Sequence, residues 1–160
     1  MSYHIDIQHA CDEPIPVSNA TLRQWVQLTL EQHQKTAELT LRFVDRDEIT
    51  HLNHTYRKKN QATNVLAFPA NLPKGIELDY PLLGDVIICP AVLTQESETL
   101  GTTLIAHYAH IVIHGVLHLL GYDHIEETDA DVMQAIEIKL LASLSFDNPY
   151  SDLTEGSEIE

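Results

Sequence analysis

The sequence predicts an α+β fold: a small mixed β-sheet with helices packed against it, and a long central helix. Two observations carry the prediction. Strand-like segments fall mostly in the first ninety residues and helical patterns mostly after them, which segregates the two element types along the chain. The chain also has no internal repeat, low-complexity segment or linker that would split it. A third observation concerns the long helix, where five of the ten histidines crowd between His107 and His124.

The elements follow in order. Tyr3 to Gln8 alternates apolar and polar residues, as a half-buried strand does. Ser18 suits the N-cap of a helix from Asn19 to about His33, with Leu22, Trp25, Val26 and Leu30 along one face. Leu39 to Val44 reads as a second strand. Asp45 or Asp47 then caps a helix carrying Ile49, Leu52 and Tyr56. Asn64 to Phe68 is a short strand ended by Pro69, and Asn71 to Tyr80 a loop containing proline and glycine. Leu82 to Cys89 is a further strand stopped by Pro90. Val92 to about Leu100 forms a helix broken by Gly101, and Thr102 to Leu120 forms the long apolar one, ended by Gly121. Asp129 to Leu144 forms the last helix, and the polar tail from Asp147 is expected to fray. Residues 1–150 are thus expected to form one domain, with 151–160 an acidic tail.

Composition bounds the function classes. An apolar fraction of 44% with 21% charged residues belongs to a globular chain rather than a disordered one. No basic segment followed by an apolar run opens the chain, and no apolar stretch approaches the ~20 residues of a membrane span. Cys11 and Cys89 make a poor disulfide scaffold, so reduced thiols and a cytoplasmic location are expected. The formal net charge of −15 argues against gripping nucleic acid through a broad basic face. Beyond His124 Lys139 is the one basic side chain against ten acidic ones, and Arg57-Lys58-Lys59 is the sole basic cluster. An anionic partner must therefore be held at a small local site.

The histidines supply one. At about 100° per residue, His114 and His118 project from one helix face a turn apart. Gly121 is the residue type that reverses a chain after a helix, returning His124 as a third ligand. Three nitrogen ligands leave a position open, which is the pattern of catalytic rather than structural zinc. The spacing is that of the metzincin zinc proteases with one change. Those enzymes carry a glutamate general base directly after the first histidine, and here that residue is Gly115. The metal frame remains and the protease base does not. His107 and His110 share the stripe, as donors behind a ligand or substrate contacts, or as packing and network residues. Asp123 can orient a histidine or the bound water, or cap the next turn. Asp85 can support a ligand histidine or serve a turn or strand edge.

The run from His114 to His124 resembles the signature of the YbeY family of bacterial endoribonucleases. Leu52-Asn53-His54-Thr55-Tyr56-Arg57 with Thr63-Asn64-Val65-Leu66-Ala67-Phe68-Pro69 is similar to that family's second block, and Leu83-Gly84-Asp85-Val86-Ile87-Ile88-Cys89 to its third. Ala62 and Ala67 stand where proline and serine are common, and neither supplies chemistry. The resemblance covers most of the chain from Leu52 to Tyr150. It implies a zinc-dependent, single-strand-directed endoribonuclease of ribosomal RNA maturation, notably at the small-subunit RNA 3′ end, and of ribosome quality control. It implies one zinc ion on His114, His118 and His124, and Arg57 in the substrate cleft. Its partners would be ribosomal RNA and the ribosome or small-subunit assembly, with no DNA and no membrane.

The chemistry agrees. Three neutral imidazoles leave the ion's charge intact, and the guanidinium fork of Arg57 suits phosphate. Without the resemblance, Arg57 reads as a surface salt bridge. Two other classes compete. A peptidase or amidase using Asp123 or a distant acid would turn over unstructured peptide rather than single-stranded RNA. A non-enzymatic ribosome-associated factor with structural zinc would unfold on chelation.

Overall fold

The computed structural model describes residues 2–70, 81–123 and 126–150. Nine elements run in the order β1 (Ser2–Ala10), α1 (Asn19–Glu31), β2 (Thr36–Val44), α2 (Arg46–Arg57), β3 (Val65–Pro69), β4 (Leu82–Ile88), α3 (Pro90–Leu100), α4 (Leu104–Leu119) and α5 (Glu127–Ser143). The strands form one mixed sheet in the order β1-β2-β4-β3. β1 and β4 flank β2 in parallel, while β3 pairs antiparallel with β4, opposing Val65 to Ile88 and Pro69 to Gly84. The α+β prediction is met.

Local chemistry explains most boundaries. The Ser18 hydroxyl accepts from the Thr21 N–H at 3.2 Å and starts α1, whose buried face is Leu22, Trp25, Val26, Thr29 and Leu30. Asp45 stands at the N-cap of α2 but makes no cap bond there; its carboxylate accepts from the Asp12 N–H instead. Tyr56, expected on the apolar stripe of α2, is 65% exposed and meets the Phe68 ring edge-on. Pro90 ends β4 and also opens α3, because its missing N–H is one the first turn would leave unpaired anyway. The Thr103 hydroxyl caps α4 through the Ala106 N–H. The expected loop from Asn71 to Tyr80 lies outside the described residues.

Gly84 answers to a backbone constraint. Its φ of 135° is a conformation that side-chain-bearing residues avoid, and it sits where the β2–β4 register shifts. A Cβ there would lie 2.1 Å from the Phe68 carbonyl oxygen on β3.

The sheet has two covered faces. Val65, Val86 and Ile88 point to the face packed by α1 and α4, with Leu22, Val26, Ile111 and Val112 in the same core. Leu66, Ile87 and Cys89 alternate to the other face, where Ile49 of α2 covers them. From His107 to Leu117 every residue of α4 is buried, because the helix is wrapped by the sheet, α1, α3 and α5. Gly115 lets it approach so closely: a Cβ there would stand 2.6 Å from Val86 Cγ1 and 3.4 Å from Val65 Cγ2.

Of the tail expected to fray from Asp147, the described residues reach Tyr150, which is docked, and 151–160 lie outside them. Phe146 packs edge-on against Trp25, and the Tyr150 hydroxyl bonds to Glu137 of α5 and His110 of α4. An aromatic ring with a buried partner for its hydroxyl outweighs the polar composition of the segment leading to it.

Candidate metal centre

His114 and His118 lie a turn apart on α4, and their Nε2 atoms face each other at 3.1 Å. The partners of the other ring nitrogens assign the protons. His118 Nδ1 lies 2.9 Å from the Tyr122 carbonyl oxygen, which only accepts, so Nδ1 carries a hydrogen. His114 Nδ1 lies 2.8 Å from Glu137 Oε2. Burial by itself would raise the Glu137 carboxyl, but the hydrogen bonds from His110 and His114 outweigh it and hold the group well below the ordinary carboxylate range. Glu137 is therefore ionised and accepts from His114.

With hydrogens on both Nδ1 atoms, Nε2 of each ring is the nitrogen that can serve as a metal ligand, and the two Nε2 atoms face one another. Two nitrogens at ~2.0–2.1 Å from one tetrahedral ion lie roughly 3.3 Å apart, within a few tenths of the observed spacing. The donor set thus fits a metal ion. Charge argues the same way. Glu137 is completely buried, and its side-chain partners among the described residues are His110, His114 and the Tyr150 hydroxyl. Burial pushes the His110 imidazole down despite its bond to Glu137, leaving it neutral at pH 7. A cation beyond His114 would neutralise the carboxylate.

His110, His114 and Glu137 also bring donor atoms within 4.8 Å of one another, a group that could itself hold a metal ion. Both Glu137 oxygens already accept from ring N–H groups, so this trio reads as a hydrogen-bonded support behind His114. His118 is half-buried while His114 is 3% exposed, so solvent reaches the pair from the His118 side.

His124, the third expected ligand, lies outside the described residues. The turn toward it is present: Gly121 has φ 103° and leads the chain back past Tyr122. Arg57 ends α2 and is exposed, without an ion pair among the described residues, so it is not a surface salt bridge there. α2, which Arg57 ends, and α4, which carries the histidines, cover opposite faces of the sheet. Asp85 is exposed on β4, an interior strand, which overturns a strand-edge role. His107 bonds Glu96 at 2.9 Å, and Glu96 also accepts from Asn64, so His107 joins α4 to α3 and to the start of β3.

Sequence reasoning missed Glu137 and Tyr150. A signal for Glu137 existed: with Met133, Leu140 and Leu141 it completes the buried stripe of α5, and an acid at a core position needs a partner.

Comparison with known proteins bears on the same residues. The family model for the endoribonuclease YbeY matches residues 7–145. A protein of Legionella pneumophila (strain Corby) named endoribonuclease YbeY is 55% identical over 160 residues, covering all of both chains. A Pseudomonas putida protein of the same name is 52% identical over 148 residues, covering 92% of this chain and 93% of its own. A Thermotoga maritima protein whose solution structure is known shares the fold, with a TM-score of 0.60 at 23% identity over 95% of this chain and 99% of its own. The chain belongs to the YbeY endoribonuclease family.

Proposed function

We propose that this protein is a zinc-dependent, single-strand-specific endoribonuclease that matures ribosomal RNA at the small-subunit 3′ end and serves ribosome quality control. The observation that carries the metal part is the pair of Nε2 lone pairs meeting at 3.1 Å between rings whose tautomers are held from behind. The RNA part rests on family membership. His114, His118 and His124 would hold the ion. Zinc bound there would supply Lewis acidity toward a phosphoryl oxygen and make an attacking water or hydroxyl more acidic.

The chain's own side chains divide the remaining work. His114 and His118 keep their N–H groups turned away from the reaction and their lone pairs turned to the ion. Arg57 neutralises charge that builds on the phosphoryl oxygens in the transition state. Lys58 and Lys59, next in the chain and exposed, would lie beside the RNA backbone. The acidic surface means that ribosomal RNA is presented by the ribosome or the small-subunit assembly, in the cytoplasm, rather than captured from solution. A peptidase reading is disfavoured at Gly115, where any side chain would run into Val86 instead of reaching the histidines.

The test compares wild type, Arg57→Glu and His114→Ala on single-stranded RNA and on unstructured peptide, with zinc quantified in each. RNA cleavage should fall in Arg57→Glu while zinc stays near one equivalent, and His114→Ala should abolish cleavage. Cleavage of RNA by Arg57→Glu at the wild-type rate would remove Arg57 from the mechanism. Peptide turnover without RNA turnover would overturn the nuclease assignment.

A further inference from the structure

Behind His114 lies a buried array that the proposed chemistry does not use. Glu137 Oε2 accepts from His114 Nδ1 at 2.8 Å, and Oε1 accepts from His110 Nε2 at 2.9 Å and from the Tyr150 hydroxyl. His110 Nε2 also lies 3.0 Å from that hydroxyl. Three elements distant in sequence meet here: α4, α5 and the segment after α5.

We propose that Glu137 is the positioning residue of the metal centre, and that Tyr150 holds Glu137 in place from the C-terminal segment. The inference rests on His114 and His118 being ligands. A carboxylate can only accept, so it compels His114 to keep its hydrogen on Nδ1 and its lone pair on Nε2, facing His118. A carboxylate also raises the basicity of the imidazole it accepts from. Left alone, the Glu137 side chain would rotate between His110 and His114. The Tyr150 hydroxyl and His110 together hold Oε1, which leaves Oε2 aimed at His114. His110 Nδ1 is buried with no hydrogen-bond partner, as expected for a tautomer whose one N–H is turned to Glu137 and Tyr150. His110 therefore anchors the carboxylate and stays out of the ligand shell.

The test uses Glu137→Gln, Tyr150→Phe and His118→Ala in the full chain, stripped of metal and titrated with zinc or cobalt against a chromophoric chelator. Cobalt visible absorption reports the ligand set, and urea unfolding of the metal-free proteins reports a purely structural effect. A glutamine amide offers His114 either a weaker acceptor or a donor that forces the wrong tautomer. Glu137→Gln should therefore weaken metal affinity on the order of 10–100-fold. Tyr150→Phe should weaken it about threefold to tenfold, the worth of one hydrogen bond. Both should keep the cobalt bands, and His118→Ala should lose them.

Unchanged affinity in both Glu137→Gln and Tyr150→Phe, with metal lost in His118→Ala, would overturn the positioning role and leave the ligand assignment standing. Wild-type metal binding by His118→Ala would instead overturn the ligand assignment, and the positioning role with it. Loss of the cobalt bands in Glu137→Gln but not in His118→Ala would make Glu137 a ligand alongside His110 and His114. Should Glu137→Gln fail to fold, Tyr150→Phe at the half-buried rim of the array decides the question by itself.

Discussion

Replacing Gly115 by alanine tests how α4 is seated on the sheet. The added Cβ would lie 2.6 Å from Val86 Cγ1, well inside van der Waals contact, with Val65 Cγ2 at 3.4 Å. Val86 has little room to yield, since it is fully buried on an interior strand and its β-branched side chain is stiff at χ1. Overpacking of this kind costs about 1–3 kcal/mol, and alanine over glycine in a helix returns about 1 kcal/mol. A net loss of up to about 2 kcal/mol follows, and each kcal/mol should lower Tm by roughly 2–4 °C in a chain of this size. The decisive assay is a double-mutant cycle with Val86→Ala, read by urea unfolding at constant m. Val86→Ala removes two methyl groups worth about 0.8 kcal/mol each, plus a cavity that the methyl group introduced by Gly115→Ala partly fills. In that background Gly115→Ala should be neutral or stabilising, giving a favourable coupling of about 2 kcal/mol. If Gly115→Ala stabilised the parent protein, or had the same effect in both backgrounds, close packing would not be the reason for glycine here.

Three further outcomes are expected. Ser18→Ala should cost about 1 kcal/mol in urea unfolding, because the Thr21 N–H at the start of α1 loses its acceptor; no loss would mean that water replaces the cap freely. Tyr108→Phe should stabilise the fold by about 1 kcal/mol or more, since the Tyr108 hydroxyl is buried without a partner among the described residues; a loss of stability would reveal a bond at that oxygen. Burial raises the thiol pKa of both cysteines, and more of Cys89 is shielded. A raised pKa keeps the thiol neutral, so a maleimide at pH 7 should label Cys11 slowly, faster as pH rises through the thiol range, and reach Cys89 only on unfolding. Equal labelling of both in the native protein would contradict the burial of Cys89 between β4 and α3.

Much of this protein was legible in the chain itself. The alternation of Tyr3 to Gln8, the cap at Ser18 and the helix end at Gly101 are local signals, set by neighbours within a turn or two, and the structure keeps them. The His114–His118 pair was legible for the same reason, since helical periodicity alone puts two residues four apart on one face. The mixed order of the sheet was not written in any one segment, because strand pairing is decided by which apolar faces find each other after the crossovers form. The docking of Tyr150 was hidden as well, since a hydroxyl bonded to a carboxylate 13 residues earlier and to a histidine 40 residues earlier leaves no local pattern.

Gly115 divides the two kinds of knowledge most clearly. From sequence its meaning was negative, a missing protease base. From the structure its meaning is positive, the space through which α4 reaches β3 and β4. The sequence alone determined that His114 and His118 share a helix face and that no base follows the first of them. Only the tertiary structure decided which ring nitrogens carry protons. That depends on acceptors brought up by α5 and by the turn at Tyr122, and the lone pairs of His114 and His118 meet because those acceptors stand behind them.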